Sequence, residues 1–229
     1  MDADHKENQE RPSALNPGVA KREVWAWAMF DFANSGYTTV VLTAVFNAYF
    51  VSVVAEKAAW GTFAWTAALS VSYLLVMIAG PLLGAWADAH AAKKKVLALS
   101  TALCVVATAA LAGAGPGAVA WAVAFIILSN FGYAIGENIC AAFLPEIARP
   151  EALGKVSGWG WSLGYFGGIL ALGISLAWVM TAEARGSTTS AAVGGTMIIT
   201  AVEASSTFFF AAWASAQAPS SGPAIITSR

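Results

Sequence analysis

The stretch from Val24 to Ala55, VWAWAMFDFANSGYTTVVLTAVFNAYFVSVVA, decides the fold, because it carries a single charged residue, Asp31. A helix crosses the roughly 30 Å hydrocarbon core of a bilayer with about 20 apolar residues, and this segment exceeds that length. The rest of the chain repeats the pattern. Of its 229 residues 58% are hydrophobic and 11% charged, where a water-soluble domain needs about 25% charged residues to wet its surface. The fold class is therefore an all-α membrane protein.

Charge islands cut the chain into six spans. The first is Val24–Ala55; the second, about 62–86, lies between Lys57 and Asp88. The gap from Lys95 to Glu137 is too long for one span and is broken by Gly113-Ala114-Gly115-Pro116-Gly117, which makes two helices, about 96–112 and 118–143. A fifth runs over about 156–181 and a sixth over about 192–214. In the sixth, Glu203 costs roughly 3 kcal/mol on an insertion scale where each Ile, Val or Phe returns only about 0.3 to 0.6. The expected organisation is a disordered cytoplasmic tail at 1–23, a six-helix bundle over 24–214 and a divergent tail at 215–229.

Basic residues accumulate on the cytoplasmic side of membrane proteins. Lys6, Arg11, Lys21 and Arg22 in the first tail, Lys93, Lys94 and Lys95 in the second connection, and Arg149 and Lys155 in the fourth fall on one side. Lys57 and Arg185 fall on the other. The N-terminus is predicted to be cytoplasmic, in the plasma membrane if the source is bacterial. Trp25, Trp60, Trp86, Trp121 and Trp178 stand near span ends, where amphipathic rings belong.

Several function classes drop out. The net charge of −1 offers no basic surface for nucleic acid. Cys104 and Cys140 lie in apolar blocks without ligand spacing, so no metal and no cofactor are predicted. The two histidines, His5 and His90, lie in a tail and a loop. No nucleophile motif or phosphate-binding loop is present, so an enzyme is not expected.

Lipid gives helices no hydrophobic reason to associate, so small residues mark close packing. Gly160, Gly164 and Gly168 repeat every four residues in the fifth span, Gly132 and Gly136 in the fourth, and Gly80 and Gly84 in the second.

The segment GPLLGAWADAHAAKKKVL, Gly80–Leu97, places a glycine, an aspartate four residues on, and a lysine cluster between the second and third spans. It resembles the loop motif of the major facilitator superfamily: Gly84, Asp88, Lys93 and Lys94 match, while Ala89, Ala91 and Ala92 replace a basic residue, a glycine and a further basic residue. REVWAWAMFDFANSGYTTVV and LPEIARPEALGKVSGWGWSLGYFGG resemble the branch of autophagy-associated vacuolar effluxers, held to export amino acids. The resemblance runs from about Arg22 to Val202 and implies the N-terminal six-helix half of a two-half transporter. From Glu203 onward the sequence departs from the family, so a truncation, a frame change or a sequencing error is expected there. The resemblance implies a partner of small-molecule class and, for a half, either a second half or a homodimer in the bilayer. Asp88, with Lys93 and Lys94, would make contacts present in one of two bundle arrangements; lipid anchoring is the other reading of the lysines.

On a helix, residues three apart share a face, so Asp31 and Asn34 project together with Thr38 one turn on. In the family the first and fourth helices line the central cavity, which implies that Asp31 and Glu137 share one aqueous path, with Asn130 and Tyr133 on the face of Glu137. Intramembrane acids mark ion, proton or substrate pathways by default; such a group holds a substrate ammonium or takes up a proton. The alternatives are an interfacial role for Asp31 and a packing tie for Glu137. The leading expectation is a secondary transporter of a small polar solute, with amino-acid efflux implied by the resemblance; the alternative is a non-transporting half or assembly partner.

Overall fold

The structure, a computed structural model, describes residues 13–216, with side chains through Ser206. Among these residues the regular structure is all helical, with one isolated backbone bridge beside it. Six long rods follow one another: α1 Lys21–Val54, α2 Gly61–Ala89, α3 Lys93–Ala110, α4 Val119–Ala141, α5 Leu153–Ala184 and α6 Thr189–Ala216. Among the described residues five helical segments are long and apolar enough to cross a membrane, namely the first five rods with their short flanking turns. The sixth is a helix of 28 residues. The chain is an all-α, multi-pass integral membrane protein. Most rods begin or end within about three residues of the expected bounds: α2, α5 and α6 run past them at both ends, whereas α4 is shorter at both.

α1 is not one regular helix. It is α-helical over Lys21–Gly36, π-helical over Tyr37–Ala44, α-helical again over Val45–Tyr49 and π-helical over Phe50–Val54. The physical cause lies in its threonines. The hydroxyls of Thr38 and Thr39 both donate to the Ser35 carbonyl, at 3.0 and 2.8 Å, and Thr43 Oγ1 donates to Thr38 O at 2.9 Å. Side-chain donors that occupy these carbonyls compete with the ordinary backbone ladder, and Val45 N–H bonds five residues back, to Val40 O. Wide turns of this kind concentrate at functional sites. Periodicity read at 3.6 residues per turn does not anticipate this change.

α1 packs chiefly on α5 and α6, α3 on α4 and α6, and α2 on α4. The glycines set these distances. A Cβ on Gly167 of α5 would collide with the carbonyl oxygen of Phe32 in α1. A Cβ on Gly132 of α4 would lie 2.7 Å from Ser100 O of α3. The bundle core gathers Tyr37, Phe46, Phe50, Leu111, Ile126 and Met197, all nearly inaccessible. Gly84 makes no such contact: a Cβ there would meet nothing within 4 Å.

The N-terminal boundary differs from the one expected. Helix α1 begins at Lys21, and the residues before it lie against the connection between α4 and α5. Asn16 N donates to Ile147 O and Arg149 N to Ala14 O, at 3.0 and 3.1 Å. The Asn16 side-chain amide donates to the carbonyls of Pro145 and Glu146, both at 2.9 Å. Backbone acceptors left free by the short helix Leu144–Ile147 attract these donors. The first 12 residues, and residues 217–229 of the expected C-terminal tail, lie outside the described residues.

Candidate functional site

The α1–α5 seam places polar side chains of α1 over the glycines of α5 in register. Trp27 lies over Gly160, Asp31 over Gly160 and Gly164, Ser35 over Gly164, and Thr39 over Gly168. A four-residue repeat keeps both rows on one face of each helix. A Cβ on Gly164 would stand 2.8 Å from both Asp31 Oδ2 and Ser35 Oγ, and one on Gly168 would stand 2.7 Å from Thr39 Oγ1. The glycines thus make room for carboxylate and hydroxyl groups as well as for backbone.

Beside this seam is a cavity of about 380 Å³. Asp31, Ser35, Thr38 and Thr39 of α1 line one wall, Tyr133 and Glu137 of α4 a second, and Trp161, Gly164, Tyr165 and Gly168 of α5 a third. Asn34 is buried and donates from Nδ2 to Glu137 Oε1 at 2.5 Å, which ties α1 to α4 at the cavity's edge. Trp27 Nε1 adds a second tie, to Cys140 O at 3.0 Å. Deeper along α1, Tyr37 stacks on Tyr133 with ring centroids 5.0 Å apart and shares a hydrogen bond of 2.8 Å with Ser129 Oγ.

Among the described residues the Asp31 carboxylate accepts no hydrogen bond and joins no ion pair, and no basic side chain lines the cavity. A carboxylate against lipid is expensive, so intramembrane acids face protein or a wet cavity; here both do. Two acids and several hydroxyls give the lining acceptor character and an affinity for positive charge.

Asn130, expected beside Glu137, stands elsewhere. It is fully buried between α4 and α2, where Nδ2 donates to Ser72 Oγ at 3.1 Å, and it does not line the cavity. It lies two turns from Glu137 on the same helix, and its amide is taken by Ser72 of α2. Glu203 of α6 faces inward against α1: a Cβ on Gly36 would lie 3.0 Å from its Oε2. This inward position shelters the group whose insertion cost was counted against lipid.

At one end of the bundle the connection between α2 and α3 forms a charged clasp. Lys93 Nζ lies 3.1 Å from Asp88 Oδ1 and 2.8 Å from Glu146 Oε1. It also donates to Ala142 O at 3.3 Å. Lys94 is exposed and joins no ion pair among the described residues. Ala91 has φ of 49°, in the left-handed region that suits glycine, which gives a physical reason for the glycine found at that place in the loop motif. Glu146 was not among the residues expected in this site; only the fold brings it to Lys93. Trp161 and Tyr165 were also missed, since aromatic residues in an apolar helix carry no sequence signal that separates a cavity wall from a lipid contact.

Comparison with known proteins gives two findings. The profile of the Major Facilitator Superfamily matches residues 3–172. A curated relative from Bacillus subtilis (strain 168), an uncharacterized MFS-type transporter named YxiO, is 31% identical over 163 residues, covering 70% of this chain and 38% of the relative. The chain therefore spans about two-fifths of the length of the curated relative it matches. No solved structure matches.

Proposed function

The chain belongs to the major facilitator superfamily, a family of transporters and not of enzymes, and from that premise we propose that it serves secondary transport of a small polar solute by alternating access. The observation that carries the reading is the cavity where Asp31 and Glu137, from two different helices, converge with no cation beside them. A bundle gains nothing in stability from bringing two acids together inside a membrane. A site that binds a positively charged group, or exchanges a proton, requires it.

The finer assignments belong to the same proposal. The chain forms the N-terminal half of the transporter, with its N-terminus in the cytoplasm, supported by nine basic residues against two on alternating sides. The stretches around Asp31 and Gly164 support placement with the vacuolar effluxer branch and, with it, amino-acid efflux; the ammonium of such a solute suits the two acids. A midplane site in this superfamily is enclosed by two six-helix bodies. A second half or a second copy closes the open side of the cavity.

Flux in proteoliposomes tests the proposal. Asp31→Asn removes the charge and keeps the shape, and is expected to abolish coupled transport in the assembled protein. Unchanged flux would remove Asp31 from the mechanism.

A further inference from the structure

The cavity's third wall carries chemistry that the two acids do not explain. Trp161 and Tyr165 stand one turn apart on α5, on the side of the seam that faces Glu137 and Tyr133, and both line the cavity. They are 78% and 69% exposed, and neither ring stacks on another or carries a cation among the described residues. Their π faces are therefore available, whereas Tyr133 already spends one face on Tyr37.

The donor set narrows what fits. A hard metal cation takes six or more oxygen ligands, and here two carboxylates face aromatic rings; no group of three or more acids, histidines or cysteines occurs among the described residues. An anionic group would meet two carboxylates and no lining cation, and the nearest amide, Asn34 Nδ2, is already committed to Glu137. A bare inorganic or primary ammonium is satisfied by the carboxylates and hydroxyls alone and leaves the rings unused. A nitrogen cation with apolar substituents uses both: carboxylates balance its charge, and aromatic faces attract its alkyl surface electrostatically.

We infer that this cavity reads an alkylated ammonium, a tertiary or quaternary nitrogen carrying apolar substituents, on a solute whose anionic group, where it has one, is met outside this half. The inference rests on the reading of the cavity as the solute site and adds the class of group it recognises.

Isothermal titration calorimetry on the full chain in mild detergent, with four probes, separates the two. Benzyltrimethylammonium is expected to bind about threefold more tightly than methylammonium, the difference an exposed cation–π contact supplies. Leucine, whose ammonium is primary, is expected to bind no more tightly than methylammonium, and benzoate to give no saturable heat. Trp161→Ala with Tyr165→Ala should bring the two cations to similar affinity while leaving methylammonium unchanged; both rings are exposed enough for these variants to fold. Asp31→Asn should weaken both cations. If methylammonium or leucine binds as tightly as the quaternary probe in an Asp31-dependent manner, the alkylated class is wrong and the solute site stands. If no probe binds, or binding ignores Asp31→Asn, the inference falls together with the site.

Discussion

Two groups of acids in this molecule meet opposite fates. At the loop end, Asp88 and Glu146 share Lys93 in a clasp that is largely wet. Within the spans, Asp31 and Glu137 share a cavity with hydroxyls, an amide-bonded edge and aromatic rings, but no cation. Water screens the first set, so its pairing adds little to stability. Hydrocarbon amplifies the second set, so its sheltering by α1, α4 and α5 is a condition of folding. Charges therefore organise the ends of this bundle loosely and its middle strictly.

The contrast breaks first at the seam. Gly167→Leu forces a side chain into the Phe32 carbonyl, and should cost about 3 kcal/mol or more, read as a large drop in thermal midpoint or a failure to express. Gly84→Ala, where open space surrounds the glycine, should stay within about 0.5 kcal/mol of the parent. Equal effects at the two sites would show that α1 and α5 do not meet as described.

Next in size is the tie at the cavity's edge. Asn34→Leu leaves Glu137 without its amide donor in a sheltered site, and should cost about 1 to 3 kcal/mol, measured by chemical unfolding in detergent. Changing both residues, Asn34→Leu with Glu137→Leu, should recover much of that loss while flux stays absent, because it removes the orphaned polar group along with the site.

The clasp should respond least. Lys93→Gln is expected to change stability by about 1 kcal/mol or less, and less still in high salt. A larger, salt-insensitive loss would mean that the clasp is structural and would erase the distinction between the two groups. Ala91→Gly should run the other way. It relieves a left-handed backbone that costs an L residue about 1 to 2 kcal/mol, offset by the freedom glycine brings to the unfolded chain, so a stabilisation of about 0.5 to 1 kcal/mol should appear as a raised thermal midpoint.

Much of this was legible in the sequence. The helical rods follow from charge-free lengths, because a bilayer makes span length a hard constraint. The glycine repeat of α5 follows from its spacing, because close helices need small residues. Asp31 and Glu137 stood out because a carboxyl group in an apolar block demands a reason. What escaped depends on geometry across helices. The π turns of α1 come from threonine hydroxyls competing for carbonyls, and they change which residues of α1 beyond Gly36 share a face. Asn130 shares a helix with Glu137, yet Ser72 of α2 claims it.

By itself, then, the amino-acid order determined that this chain lives in a membrane, how many rods it makes and which acids need shelter, since those follow from transfer energies summed along a segment. Only the tertiary structure decided that Asp31 seats over Gly164, that Lys93 joins Glu146, and that Trp161 and Tyr165 wall the same cavity as the acids. Such pairings depend on the rotation and depth of one helix against another. That packing is set by contacts between residues far apart in the chain.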